Sequence, residues 1–264
     1  MNELIVIMDH VKDRYKAYED LLIRRDQLSR DAGSYQTAYI KAFGDMVAAN
    51  FAIKLECIKK KKTISYCRRR MNRGLEINTD RMQSEIEEEM KLYYVELRDM
   101  VKRHERAKKS KTASTIDMNL SKKIYRRLAK RIHPDINKKT MENDMLRDLW
   151  ERITEAYGKY NAAELDNLEA LVRRALEQMG DSAFEIDYSD VEDRIGRVER
   201  QINDILNTQP YTFGEILEDE EKKNTHRLVL EEEHRDYEKY LETLQKMLDD
   251  MLSEEGVKIV WKMN

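Results

Sequence analysis

Proline is nearly missing from this chain. There are 2 among 264 residues, with only 8 glycines, 2 cysteines and 4 phenylalanines. Sheet proteins turn often and need that punctuation, so an all-β or sheet-rich fold is not expected. Two cysteines, Cys57 and Cys67, are too few for a disulfide framework. They lie ten apart on one predicted helix, which is the wrong spacing for a zinc knuckle, so they read as ordinary thiols in a reducing interior. No apolar run approaches the roughly 20 residues that a membrane span needs. The N-terminus has no positive region before its short apolar run and no small-residue cleavage site, so no signal peptide is expected. These absences together point to a soluble cytoplasmic protein that is not inserted in a membrane.

What is present is charge and helical periodicity. Asp, Glu, Lys and Arg make up 38% of the residues, and the mean hydropathy is −0.82. Yet Leu, Ile, Met and Tyr recur at helical spacing, the mark of amphipathic helices with narrow apolar stripes. The heptad patterns argue against disorder. A seam runs through Leu4, Met8, Val11, Tyr15, Tyr18 and Leu22. A second runs through Tyr35, Tyr39, Ala42, Met46, Ala49, Ile53 and Cys57. With Gly33 between them as a helix stop, the two seams predict an antiparallel hairpin ending near Gly74. The basic run 59–73 then projects beyond the first arm as an exposed helix. A long helix capped at Asn78, Thr79 or Asp80 follows, with acids early and bases late. A polar linker, 110–119, comes next.

Near the C-terminus, Val191, Ile195, Val198, Ile202 and Ile205 face a second stripe of Leu230, His234, Tyr237, Leu241, Leu244, Leu248 and Met251. The turn around Pro210 and Gly214 makes these a second predicted hairpin. Short period-2 runs (Phe184, Ile186, Tyr188 and Val257, Ile259, Trp261) could pair as a small two-stranded ribbon.

The other proline, Pro134, sits in "YRRLAKRIHPDIN", Tyr125 to Asn137. The residue before a proline is pushed out of the α region, and proline itself offers no N–H. The helix must therefore end near Ile132, leaving His133-Pro134-Asp135 as a stiff corner. Before the corner, Tyr125, Leu128, Ala129 and Ile132 form one apolar face. Arg126, Arg127, Lys130 and Arg131 lie on the other, and no acid occurs between Ser121 and His133. After it, a helix from about Met141 to Tyr160 carries Leu149, Trp150, Ile153, Ala156, Tyr157 and Tyr160 on an apolar face.

This pattern resembles the J-domain of the DnaJ co-chaperone family over about 119–160. In that family a helix reading Tyr-x-x-Leu-Ala-x-x-aromatic ends in His-Pro-Asp. Here the positions are Tyr125, Leu128, Ala129, Ile132, His133, Pro134 and Asp135. The next family helix reads Phe-x-x-Ile-x-x-Ala-Tyr, matched by Trp150, Ile153, Ala156 and Tyr157. Ile132 and Trp150 depart from the family residues. The family's first helix, with its Leu-Gly ending, has no counterpart just upstream; "LYYVELRD" (Leu92 to Asp99) matches part of it but lies beyond the linker. Either the long helix that carries it replaces the family's first helix, or that helix is lost. No Gly/Phe-rich linker or Cys-rich zinc module follows.

The resemblance implies docking on a DnaK-type chaperone ATPase and stimulation of ATP hydrolysis in that partner. The chain itself would then not be the enzyme. It implies that Arg126, Arg127, Lys130 and Arg131 steer toward an acidic surface. Asp135 would pair with a partner cation, His133 would supply ring hydrogen bonds, and Pro134 would hold both in place.

The sequence thus predicts an all-α protein with a helical hairpin at 1–74 and a long helix plus linker at 75–118. A J-domain-like module at 119–162, a connecting helix at 163–182 and a second hairpin at 183–264 complete it. The hairpins are expected to target the module to a client or adaptor protein. Two other readings remain open: a structural coiled-coil adaptor with a degenerate J-like module, and nucleic-acid association through 59–73. The second lacks any stacking platform or groove-reading motif, so nucleic acid is not the expected partner. No catalytic group, metal site or cofactor is expected.

Overall fold

The computed structural model describes residues 2–110, 113–180, 185 and 190–254. Its helices are α1 (Asn2–Met71), α2 (Thr79–Lys109), α3 (Thr115–Ile132), α4 (Lys139–Glu142), α5 (Asp144–Gly158), α6 (Ala162–Met179), α7 (Val191–Asn207), α8 (Phe213–Leu217) and α9 (Glu220–Glu254). No strand occurs among the described residues. The ribbon residues Phe184, Ile186, Tyr188, Val257, Ile259 and Trp261 lie outside them.

The chain divides into two compact units. One comprises 1–36 with 111–214, the other 37–110 with 215–264. Both draw on α1, which corrects the first predicted hairpin: α1 is one helix of 70 residues and runs straight through Gly33. A lone glycine costs a helix only about 1 kcal/mol, and a Cβ at Gly33 would meet nothing closer than 3.6 Å. Tyr15, Tyr18 and Leu22 of the first seam are covered in the first unit and Cys57 of the second seam in the second unit, while Ala42 and Ala49 are exposed.

In the second unit, α2 runs antiparallel to α1. Cys67 Sγ lies 3.7 Å from Met82 Sδ, and Lys41 reaches the Ser110 carbonyl at 2.7 Å. Beside them, α9 runs parallel to α1: Tyr39 meets His226, Asn50 meets Leu230 and His234, and Lys60 meets Gln245. Leu55, Cys57, Ile64, Tyr66 and Cys67 of α1 pack on Met82, Ile86 and Met90 of α2 and on Leu244, Leu248 and Leu252 of α9. This corrects the expected projection of 59–73. Thr63, Ile64, Tyr66 and Cys67 are buried within that run, and Lys62 pairs with Glu89. Both cysteines are free, and burial pushes each thiol above its ordinary range.

The first unit places α7 along α1, where Ile195, Val198 and Ile202 cover Tyr15, Tyr18 and Leu22. That contact overturns the second predicted hairpin. The apolar face of α7 is spent on α1 in the first unit and that of α9 on α1 and α2 in the second, so the two do not serve as each other's cover. The rest of the first unit's core comes from α3, α5 and α6. Leu128, Ala129 and Ile132 join Leu146, Leu149, Ile153, Ala156, Leu165, Leu168 and Val172, with Ile23 of α1.

Local caps explain where the helices start and stop. Asn78 caps α2 by accepting the Arg81 N–H at 2.8 Å. The Ser114 side chain accepts the Asp117 N–H at 3.0 Å and donates to its carboxylate at 2.7 Å, a reciprocal cap that starts α3 inside the stretch expected to be linker. The expected helix from Met141 to Tyr160 is broken at Asn143, whose side chain accepts the Leu146 N–H and caps α5. Beyond α6, Gly180 takes φ +53°, a conformation that favours glycine.

Candidate functional site at the α3 corner

The backbone of α3 stops where proline chemistry requires. His133 is its C-cap, with φ −64° and ψ 129° in the extended region. Its carbonyl then accepts the N–H groups of Ile136 and Asn137 at 2.9 and 2.8 Å, which turns the chain sharply. Asn137 holds the turn together. Its side chain donates to the Arg131 carbonyl at 3.1 Å and accepts the Lys139 and Glu185 N–H groups at 3.1 and 3.2 Å. A fully buried asparagine with these partners satisfies helix-end groups that would otherwise be orphaned.

The predicted apolar face is in place. Tyr125, Leu128, Ala129 and Ile132 are buried with Ile153, Ala156 and Tyr157. Tyr125 stacks on Tyr157 with ring centroids 4.0 Å apart and 11° between planes. Trp150 differs from expectation. It is half-buried at the edge of this core, with its ring 5.9 Å from Tyr125 and 4.8 Å from His133, while its neighbour Leu149 takes the interior position. The helical step from Leu146 to Leu149 to Ile153 explains why: one residue further round, the side chain leaves the core face.

The basic residues lie on the outer face. Arg126, Arg127 and Arg131 are exposed and Lys130 is half-buried. Three of them have acid partners within the chain. Arg126 and Lys130 lie 2.9 and 3.2 Å from Asp20 of α1, and Arg127 makes a two-pronged contact with Glu169 of α6 at 2.7 and 2.6 Å. The Asp20 carboxyl is pushed up by burial, but the bonds from Lys130 and Arg126 outweigh this and hold it below the ordinary range.

The corner's own side chains are also engaged by α1. His133 is only 4% exposed. Its Nδ1 accepts the Asp135 N–H at 3.0 Å and its Nε2 lies 3.2 Å from Asp26 Oδ2, so the tautomer with the proton on Nε2 satisfies both. Asp26 also accepts the Tyr125 hydroxyl at 2.7 Å and Arg25 at 3.0 and 2.7 Å. Arg25 then reaches Asp135 at 3.6 Å, whose side chain is 49% exposed. Tyr15 donates to the Ile136 carbonyl at 2.9 Å. An open cavity of about 510 Å³ lies among Arg25, Arg30, His133, Asp135, Trp150 and Tyr157.

The long helix expected to close this module, α2, spends its buried residues in the second unit; α1 does the closing instead. Asp20, Arg25, Asp26 and Asn137 are the residues that the sequence pattern does not single out. Only Asn137 carries a local signal, a cap-type side chain just past a helix end. The pairing of Asp20 with Arg126 joins positions 106 apart and leaves no mark in the sequence.

Asp26 gives this cluster a pH signature. Burial pushes its carboxyl up, but the hydrogen bond and charge of His133, the charge of Arg25 and the Tyr125 hydroxyl together hold it below the ordinary value. A carboxyl depressed by folding adds stability that is complete above its unfolded pKa, about 3.9. That stability is lost as pH falls through the lower folded-state value. The first unit is therefore expected to weaken below about pH 4 as Asp26 is protonated. Asp26→Asn should cost about 1.5–3 kcal/mol at neutral pH and flatten the acid limb of a urea-midpoint-versus-pH curve. An unchanged acid limb would show that Asp26 is not the group responsible.

Among the described residues, no helix is long and apolar enough to cross a membrane. Comparison with protein-family models, curated proteins and solved structures finds nothing that matches this chain.

Proposed function

We propose that the α3 corner is a J-domain-type docking module, and that the chain acts as a co-chaperone that binds a DnaK-type ATPase and speeds its ATP hydrolysis. The observation that carries this reading is a conjunction. Tyr125, Leu128, Ala129 and Ile132 pack against Ile153, Ala156 and Tyr157, the helix ends at once in His133-Pro134-Asp135, and Arg126, Arg127, Lys130 and Arg131 lie on the face away from the core. Any turn can contain His-Pro-Asp. A turn that follows a basic helix and precedes this second packed helix is far more specific.

The physical role follows from charge. A cluster of exposed cations raises the rate of encounter with an acidic surface by a factor of about 10 to 10³ at low salt. Asp135 suits a cation on the partner, and Pro134 fixes both neighbours without further ordering cost. ATP chemistry stays in the partner, and this chain supplies recognition. Targeting to a client or adaptor falls to the helical surfaces of the two units, since neither predicted hairpin exists to serve it.

A second reading is favoured by one observation. His133 is buried and both ring nitrogens are engaged inside the chain. A corner used only as an interhelical joint, in a structural or adaptor protein, would have this appearance.

Arg127 and Arg131 test the docking reading apart from the α1 contacts, with a urea melt as control because Arg127 also pairs with Glu169 of α6. Arg127→Glu with Arg131→Glu should slow association with an ATP-bound DnaK-type chaperone by about tenfold or more at low salt. The effect should shrink above 0.1 M salt, where exposed charges are screened over about 10 Å. Stopped-flow association rates across a salt series measure this. An association rate that ignores the reversal at low salt would remove this face as the docking surface.

A further inference from the structure

We infer that α1 holds the docking corner in a self-bound state, with Asp20 and Arg25 occupying in cis the charges that a DnaK-type ATPase would engage in trans. This rests on the docking reading above. That reading asks a partner for an acid opposite the basic face of α3 and a cation opposite Asp135. The first unit already contains both. Asp20 stands 2.9 Å from Arg126 and 3.2 Å from Lys130, and Arg25 stands 3.6 Å from Asp135. The signs match at every pair, and all three pairs come from one short stretch of one helix.

Two layers of contact are present, and they differ in how readily they exchange. In the outer layer, Asp20, Arg126 and Asp135 are each roughly half exposed, Lys130 is about a third exposed and Arg25 is 22% exposed, so each pair has at least one partner open to water. Ion pairs so open to water are individually weak, so a partner's charges can replace those of α1 pair by pair. Within the inner layer, His133 is sealed against Asp26 and Trp150, and α1 is further held to the first unit by the buried Tyr18 and Leu22, packed with Ile136, and by Ile23 in the α3, α5 and α6 core. The inner layer yields only when α1 shifts. A partner must therefore win the outer charges first and displace α1 from His133 second.

The competitor is part of the same chain, so its effective concentration is high and constant. Apparent affinity for the chaperone is lowered by the fraction of molecules in which the corner is open. The contact gates the site: a segment of α1 that loosens, or a client that draws α1 away, switches docking on. It also gives one account of why a corner with docking chemistry has a buried histidine.

The test compares the full-length chain with Asp20→Asn/Arg25→Gln, using the chain concentration that half-saturates ATPase stimulation of a DnaK-type chaperone. Each pair contributes a factor of about 1.4 to 5, so loss of all three should bring half-saturation to roughly 3- to 125-fold lower concentration. Adding His133→Gln to the variant should abolish the stimulation, which shows that it acts through the corner. Circular dichroism and a urea melt establish that the variants remain folded. Should the double variant fail to fold, Asp20→Lys decides alone. Asp20 is half exposed and pairs with Arg126 and Lys130 at the corner, so reversing it repels the basic face directly. Equal half-saturation for wild type and both variants would overturn the self-bound state and leave the docking reading standing. No stimulation by any of them would remove the docking reading, and this inference falls with it.

Discussion

Replacing Leu128 by alanine is expected to lower the stability of the first unit by about 2–5 kcal/mol. Leu128 is fully buried where α3, α5 and α6 meet, with Ile132, Leu146, Ile153, Leu165 and Leu168 around it. The loss has two parts: the transfer free energy of the deleted carbons, and the cavity left in a site that three helices hold open from different directions. Collapse would need α5 or α6 to move, and the Tyr125–Tyr157 stack and the Arg127–Glu169 pair restrain both. Trp150→Ala is the informative comparison. Its ring rests on Tyr125 and His133 at the edge of the core, so less contact is lost and a smaller cost is expected than for a buried tryptophan. Urea unfolding of the two variants measures the order. A Leu128→Ala cost below about 1 kcal/mol would contradict the packing of α3.

The legibility of this chain follows the range of the interactions. The end of α3 at Ile132, a cap among Asn78, Thr79 and Asp80 and the stop at Gly180 were readable because proline, cap-type side chains and glycine act on their own backbone within a few residues. Apolar spacing correctly gave the face of α3 that is buried. In α1 it gave the buried Tyr15, Tyr18, Leu22 and Cys57 but also placed the exposed Ala42 and Ala49 on a seam and missed the buried Phe43 and Leu55, and a seam does not state what covers it. Two seams of similar length separated by a glycine looked like arms of a hairpin, whereas the buried residues of α1 are covered by helices from far along the chain. The same limit hid the corner's environment. In "YEDLLIRRD" (Tyr18 to Asp26) the pattern marks only Tyr18 and Leu22 as seam residues, yet Asp20, Arg25 and Asp26 meet residues about 100 positions away. At Trp150, resemblance to a family phenylalanine pointed to the core, while the helical step from Leu146 favoured Leu149.

His133→Gln is expected to eliminate ATPase stimulation while costing the fold little. Glutamine still offers an N–H toward Asp26 but lacks the imidazole ring that lies against Trp150. Asp26 keeps Tyr125 and Arg25, so the cluster retains most of its hydrogen bonds, and a stability loss of about 1 kcal/mol is expected. Activity and stability should therefore separate. They would fall together if the corner were only an interhelical joint. That difference distinguishes a docking corner from a structural one at the same residue.

The most direct measurement is single-turnover ATP hydrolysis by a DnaK-type chaperone at rising concentrations of the full chain, of its Asp20→Lys variant and of its His133→Gln variant. The account predicts acceleration by the wild-type chain, the same acceleration at lower concentration with Asp20→Lys, and none with a folded His133→Gln chain. Acceleration that survives His133→Gln, or no acceleration by either of the other two at any concentration, would contradict it.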